Sequence, residues 1–133
     1  MTDSASSVAE SFVALSFVAP PPGFAPHTAF ALTPIEGADG LFAMHAAEQP
    51  ELRVFLVDPQ TVASGYAPIL SEEQVADLGL ASPDDAMLLV VAHPRRDGVS
   101  VNLLAPVVVN RTSGAASQVI LEDQDYPLRA ALG

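Results

Sequence analysis

The stretch from Asn102 to Asn110 reads NLLAPVVVN, and it narrows what the chain can fold into more than any other segment. It has the apolar run of a buried strand. Yet Pro106 stands in its middle, and proline donates no ladder hydrogen bond, so it is kept out of central strands. If Val99–Leu104 pairs with one neighbour and Val107–Val109 with another, the chain changes partner near Pro106. A strand that crosses a barrel corner bends or bulges in this way, at a place where one amide hydrogen is not wanted. A plain edge strand is the alternative.

The rest of the sequence reads as short strands at intervals of roughly 8 to 12 residues, cut by turn chemistry. Residues 1–11 are small and polar and are read as frayed. Strands are expected at 12–19, 30–32, 41–44, 52–57, 86–92, 99–104 and 117–121. Turns are expected at PPPGF (20–24), EGADG (36–40), Asp58-Pro59, HPRRDG (93–98) and NRTSGAAS (110–117). The helix signal is confined to SEEQVADLG at 71–79. Ser71 and Gln74 form a capping box, Glu72 and Glu73 suit the positive helix start, and Gly79 gives a left-handed stop. Ser82-Pro83 opens one further turn at most. The pattern predicts an antiparallel barrel or sandwich.

Length and charge set further limits. The 133 residues fit one domain. The chain has no cysteine, which excludes disulfides and thiolate metal sites and fits a reducing compartment. It carries 16 acidic residues against five arginines and no lysine, a formal net charge of −11. Such a chain repels nucleic acid backbones and anionic lipid surfaces, which recruit Lys and Arg. It attracts basic partners. No apolar run approaches the roughly 20 residues of a membrane span. The start carries Asp3 and Glu10 and no basic region, unlike a signal peptide, so a cytoplasmic protein is expected.

Catalytic motifs are missing: there is no glycine-rich phosphate loop, HExxH or nucleophile elbow. His27, His45 and His93 are far apart, and the His45/Glu48 pair sits where a strand end meets a loop. Glu122, Asp123 and Asp125 cluster, but Ca²⁺ takes roughly six to eight oxygen ligands and the glycine and distant glutamate of a calcium loop are missing. No metal or cofactor is expected. Glu72, Glu73, Asp77, Asp84 and Asp85 form the other acidic concentration, which is either a solvated helix face or half of a docking surface for a basic protein.

Four segments occur in an order and spacing that resemble the flagellar assembly factor FliW family. They are FLVDP at 55–59, LSEEQVADLGLASPDDAMLLVVA at 70–92, VNLLAPVVVN at 101–110 and QVILEDQDYPLR at 118–129. Upstream, PPPGF resembles the PGF segment of that family, although this chain has Ala25 where the family usually has a glutamate.

The resemblance implies an all-β, mostly antiparallel, small barrel-like domain spanning 1–133, with one short α-helix near 72–78. It implies a non-enzymatic, monomeric protein of the cytoplasm that binds flagellin. When free of flagellin, such a protein binds CsrA, a dimeric mRNA-binding repressor of translation, and antagonises it allosterically. Neither nucleic acid nor membrane is a direct partner on this reading. Candidate contact residues are Glu72, Glu73, Asp77, Asp84, Asp85, Glu122, Asp123 and Asp125. Asn102, Pro106, Asn110, Tyr126 and Arg129 are family-motif positions with structural roles: the asparagines bonding turns, Tyr126 and Arg129 anchoring the C-terminal segment, with Arg129 also able to pair with Asp125. A generic acidic interaction domain, or a small-ligand or metal-binding barrel without CsrA activity, is the alternative.

Overall fold

The computed structural model describes residues 13–61, 63, 65–96, 98–121 and 124–132. The expected frayed segment 1–11, and the Phe12 start of the first strand, lie outside these. Among the described residues, nine strands follow in chain order: β1 Val13–Phe17, β2 Ala29–Pro34, β3 Leu41–Ala46, β4 Arg53–Val57, β5 Ala86–Arg95, β6 Gly98–Val101, β7 Val107–Asn110, β8 Ala115–Gln118 and β9 Ala130–Leu132. One α-helix, α1 Glu72–Leu78, and two 3₁₀ turns, Pro59–Thr61 and Pro83–Asp85, lie between β4 and β5.

The sheet order β4-β3-β2-β1-β8-β7-β5 closes through a β4–β5 pairing, so seven strands form a barrel. β1 and β8 run parallel and the other pairs are antiparallel. Closure pairs β4 with β5, so neither of these strands is left as an open edge, while β6 and β9 continue the sheet beyond the ring. The barrel interior holds Leu15, Phe17, Phe30, Leu32, Met44, Leu56, Leu89, Val107 and Val109. A second core lies on the outer face of the barrel wall, where Val90, Val101, Val108, Val119 and Leu121 meet Tyr66, Leu78 and Leu103. All four residues of β7 are buried because Val107 and Val109 point inward while Val108 points into the outer core. That is why this strand reads as a continuous apolar run.

Pro106 closes a bulge on one continuous edge. The amide of Asp58 donates to Gly40 at 2.7 Å, so even-numbered residues of β4 face β3 and odd-numbered ones face β5. Val90 and Ala92 of β5 therefore face β4, and Val91 faces the other way, where its carbonyl accepts the Asn102 amide at 3.0 Å. The pairs Leu89↔Val107 and Ala92↔Val101 lie on that same edge, so residues 102–106 span what Val90 and Val91 span on β5. The inner partner thus stays β5 throughout, contrary to a full change of neighbour. Only the outer partner switches, from β9 beside β6 to β8 beside β7.

Three sequence expectations need correction. β5 does not stop at Ala92 but runs through His93 and Pro94 to Arg95, and the hairpin closes at Arg95↔Gly98. Pro94 is tolerated because it faces the β4 side one step beyond the last β4 partner, Ala92, so no ladder bond is lost. β6 ends at Val101, not Leu104, where the bulge begins. The β7–β8 turn is shorter than expected: Gly114, at φ 82°, donates to Asn110 at 2.8 Å, and β8 starts at Ala115. β9 has no counterpart in the sequence reading. No helix among the described residues is long and apolar enough to cross a membrane.

Candidate partner-binding surface

The segment from Tyr66 to Asp85 lies across the outer core, and each of its parts is tied down from a different strand. The Tyr66 hydroxyl donates to the Leu103 carbonyl in the bulge. Burial first, and the neighbouring Tyr126 second, push the Tyr66 phenol well above its ordinary range. Its ring packs edge-on against Tyr126, with centroids 4.8 Å apart. Leu103 also donates its amide to the Pro127 carbonyl at 3.1 Å, so the bulge holds the C-terminal segment as well. Asn102 Oδ1 accepts the amides of Leu104 and Ala105 at 3.0 and 3.1 Å, which turns the chain out of β6. The Leu104 and Pro106 carbonyls take the amides of Leu121 and Val119.

Ile69 is gripped by a side chain acting like a strand. Gln124 Oε1 accepts its amide and Gln124 Nε2 donates to its carbonyl, both at 2.9 Å. Helix α1 follows. Ser71 Oγ accepts the Gln74 amide at 3.1 Å and Gln74 Oε1 accepts the Ser71 amide at 2.8 Å, the reciprocal box expected from the sequence. Gly79, at φ 65°, ends the helix in the left-handed region. Seven residues are too few for a helix to persist alone. Burial of Leu78, which contributes about 2 kcal/mol, fixes α1 to the barrel. Asn110, buried at the end of β7, donates from Nδ2 to the Leu78 and Gly79 carbonyls.

With the apolar side of α1 buried, its acidic side faces solvent. Glu72, Glu73 and Asp77 are exposed, as is Asp84 in the following 3₁₀ turn. Residues 54–94 hold six acidic residues and no arginine or lysine. Among the described residues, none of these carboxylates is held in an ion pair. Asp85 differs: its Oδ2 accepts the amides of Ala81 and Ser82, both at 3.1 Å, so this carboxylate caps the turn. Asp125 is exposed beside Gln124, and Glu122 and Asp123 lie outside the described residues.

The expected pairing of Arg129 with Asp125 does not form. Residues 124–129 are not helical, so four residues of separation do not bring the two side chains together. His45 pairs with Arg53 across β3 and β4, while Glu48 sits in the turn beyond. His27 Nε2 donates to Gln49 Oε1 at 3.2 Å. No three metal-ligating side chains come together among the described residues.

Two concave features of this region were not legible in the sequence, one apolar and one of mixed polarity. An apolar pocket of about 460 Å³ lies between α1 and β5, lined by Pro68, Leu70, Val75, Leu80, Pro83 and Leu88. A second groove, of about 700 Å³, runs between the start of α1 and β8 and is lined by Ile69, Glu73, Gln74, Gln118 and Ile120. Both join residues distant in sequence, so no local periodicity marks them.

Comparison with known proteins agrees with this architecture. A family model described as FliW protein matches residues 4–132. The flagellar assembly factor FliW of Clostridium botulinum (strain Hall) is 27% identical over 113 residues, 84% of this chain and 79% of that protein. The flagellar assembly factor FliW of Desulfitobacterium hafniense (strain DCB-2) is 30% identical over 113 residues, 84% of this chain and 74% of that protein. A crystal structure of the flagellar assembly factor FliW superposes with a TM-score of 0.83 at 24% identity, covering 89% of this chain and 84% of that one, which establishes the shared barrel fold. From the match along nearly its whole length and from these relatives, the chain belongs to the FliW family of flagellar assembly factors.

Proposed function

We propose that the protein works as a monomer in the cytoplasm, where it binds flagellin. When flagellin is exported, the freed protein binds CsrA and keeps it from repressing flagellin mRNA. It acts by binding and turns over no substrate. Glu72, Glu73, Asp77, Asp84 and Asp125 supply the negative field that meets basic CsrA, with Glu122 and Asp123 beside Asp125 in sequence. The observation that carries this reading is the exposed acidic side of α1 and its neighbouring turn, free of ion pairs among the described residues. Exposed charges of one sign raise the encounter rate with a basic protein and repel RNA phosphates within a Debye length of about 8 Å.

The reading is tested by mixing the purified protein with CsrA at micromolar concentration, then adding flagellin. A stoichiometric complex with CsrA, released as flagellin is titrated in, is the expected result. Failure to retain either partner on size-exclusion chromatography contradicts it.

A further inference from the structure

We propose that the open edge running from Gln118, the last residue of β8, to Ile120 just beyond it is a strand-addition site that takes an extended segment of the basic protein partner. The proposal rests on the reading that the protein binds CsrA.

β1 accompanies β8 only as far as Phe17↔Ala116. The last backbone bond on this side runs from the Val18 amide to the Ala116 carbonyl at 2.9 Å, after which the chain enters Pro20, Pro21 and Pro22, which have no amide hydrogen to donate to the strand. The Gly114 and Ala116 carbonyls accept from Ser16 and Val18, so even-numbered residues of this strand face β1. The Val119 and Leu121 amides go to Pro106 and Leu104, so odd-numbered residues face β7. Gln118 and Ile120 therefore aim their main-chain N–H and C=O groups past the end of β1. Among the described residues, no hydrogen bond satisfies these groups. A row of unpaired main-chain donors and acceptors is a template for another strand.

Side chains mark the same place. Ile69 and Ile120, at 73% and 63% exposure, are the most exposed large apolar residues among those described. Both line the groove of about 700 Å³ whose other bank is the start of α1. Ile69 is not loosely placed, because Gln124 holds its amide and its carbonyl. Proteins commonly protect a bare edge with lysine or proline on the edge itself; here the edge carries isoleucine.

The chemistry of the occupant follows from charge. A bare edge pairs readily with a copy of itself. Two copies of a chain of net charge −11, with Glu73 lining the groove and Glu72 and Asp125 adjoining its lining residues, repel each other. An extended segment that alternates apolar residues, set on Ile69 and Ile120, with Lys or Arg near Glu73 satisfies both the backbone and the field.

The test is amide hydrogen exchange of the full chain, free and saturated with CsrA, together with CsrA affinity for Ile120→Lys. We expect the Gln118 and Ile120 amides to exchange fast in the free protein and at least about tenfold more slowly in the complex. Ile120→Lys should keep the wild-type Tm and lose about tenfold in affinity. If the wild type binds CsrA while both amides exchange at their free rates, or if a folded Ile120→Lys binds like wild type, the edge is not the site and the binding reading stands. If the variant does not fold, the exchange experiment on the wild type still decides. If the wild type does not bind CsrA at all, both are overturned.

Discussion

The side-chain amide of Asn110, at the end of β7, donates to the main-chain carbonyl of Leu78, at the end of α1, over 2.8 Å. Its Oδ1 accepts the amides of Thr112 and Ser113 at 2.8 and 3.2 Å. One buried residue thus positions both the acidic helix and the β7–β8 turn. Asn110→Leu keeps the branched outline of the side chain but strands these groups, and should lower stability by about 3 kcal/mol in urea unfolding. The α1 amides should exchange faster in the variant. An unchanged unfolding midpoint would show that the bonds do not hold the helix.

Two glycines separate backbone strain from steric clash. Gly79 sits at φ 65° with its nearest would-be Cβ contact at 3.9 Å, so Gly79→Ala meets only the left-handed penalty of about 1–2 kcal/mol. Gly114 sits at φ 82°, and a Cβ there would lie 2.7 Å from the Ala14 carbonyl oxygen, a main-chain atom in β1. Gly114→Ala should therefore destabilise clearly more than Gly79→Ala in parallel thermal melts. Equal shifts in Tm would contradict the close approach of the turn to β1.

Tyr66 gives a pH signature. Its phenol is raised above the ordinary value of about 10, so the folded state holds the proton more tightly than the unfolded chain. The contribution to stability is fully present below about pH 10 and is lost as pH rises from there towards the folded value. Tyr66→Phe removes the donor to Leu103 and should cost about 1–2 kcal/mol at neutral pH. Denaturant midpoints followed up to about pH 11 should fall more steeply in wild type than in the variant. Parallel curves would contradict a buried hydroxyl bond.

Charge reversal separates the acidic surface from the fold. Glu72, Glu73 and Asp77 are exposed and unpaired, so changing all three to Lys should move Tm little. Placing Lys at the first turn opposes the helix dipole, which costs a few tenths of a kcal/mol to about 1 kcal/mol. CsrA affinity should drop by about tenfold and become less sensitive to salt. Wild-type affinity in a folded variant would move the contact away from α1.

Local chemistry made much of the fold legible in advance. Ser71, Gln74 and Gly79 carry their own start and stop signals, and these act within one or two turns of chain. Pro106 announced an irregularity because a missing amide needs a local solution. Long-range relations did not show. Pro94 reads as a stop, yet it faces past the end of β4, which only the register reveals. Ala130–Leu132 is too short for any period and becomes a strand only because β6 has an open side. The acidic residues were visible as composition, whereas the capping role of Asp85 depends on how the chain turns at Ala81 and Ser82. Ile69 and Ile120 read as ordinary apolar positions until Gln124 and the bulge bring their segments together.

On the proposed function, this barrel grips a basic protein through its negative exterior. Calorimetric titration of CsrA into the protein at about 50 mM and about 500 mM salt tests it most directly. The titration should give a stoichiometric complex that weakens markedly at the higher salt. No heat of binding at micromolar concentration, or an affinity indifferent to salt, would contradict it.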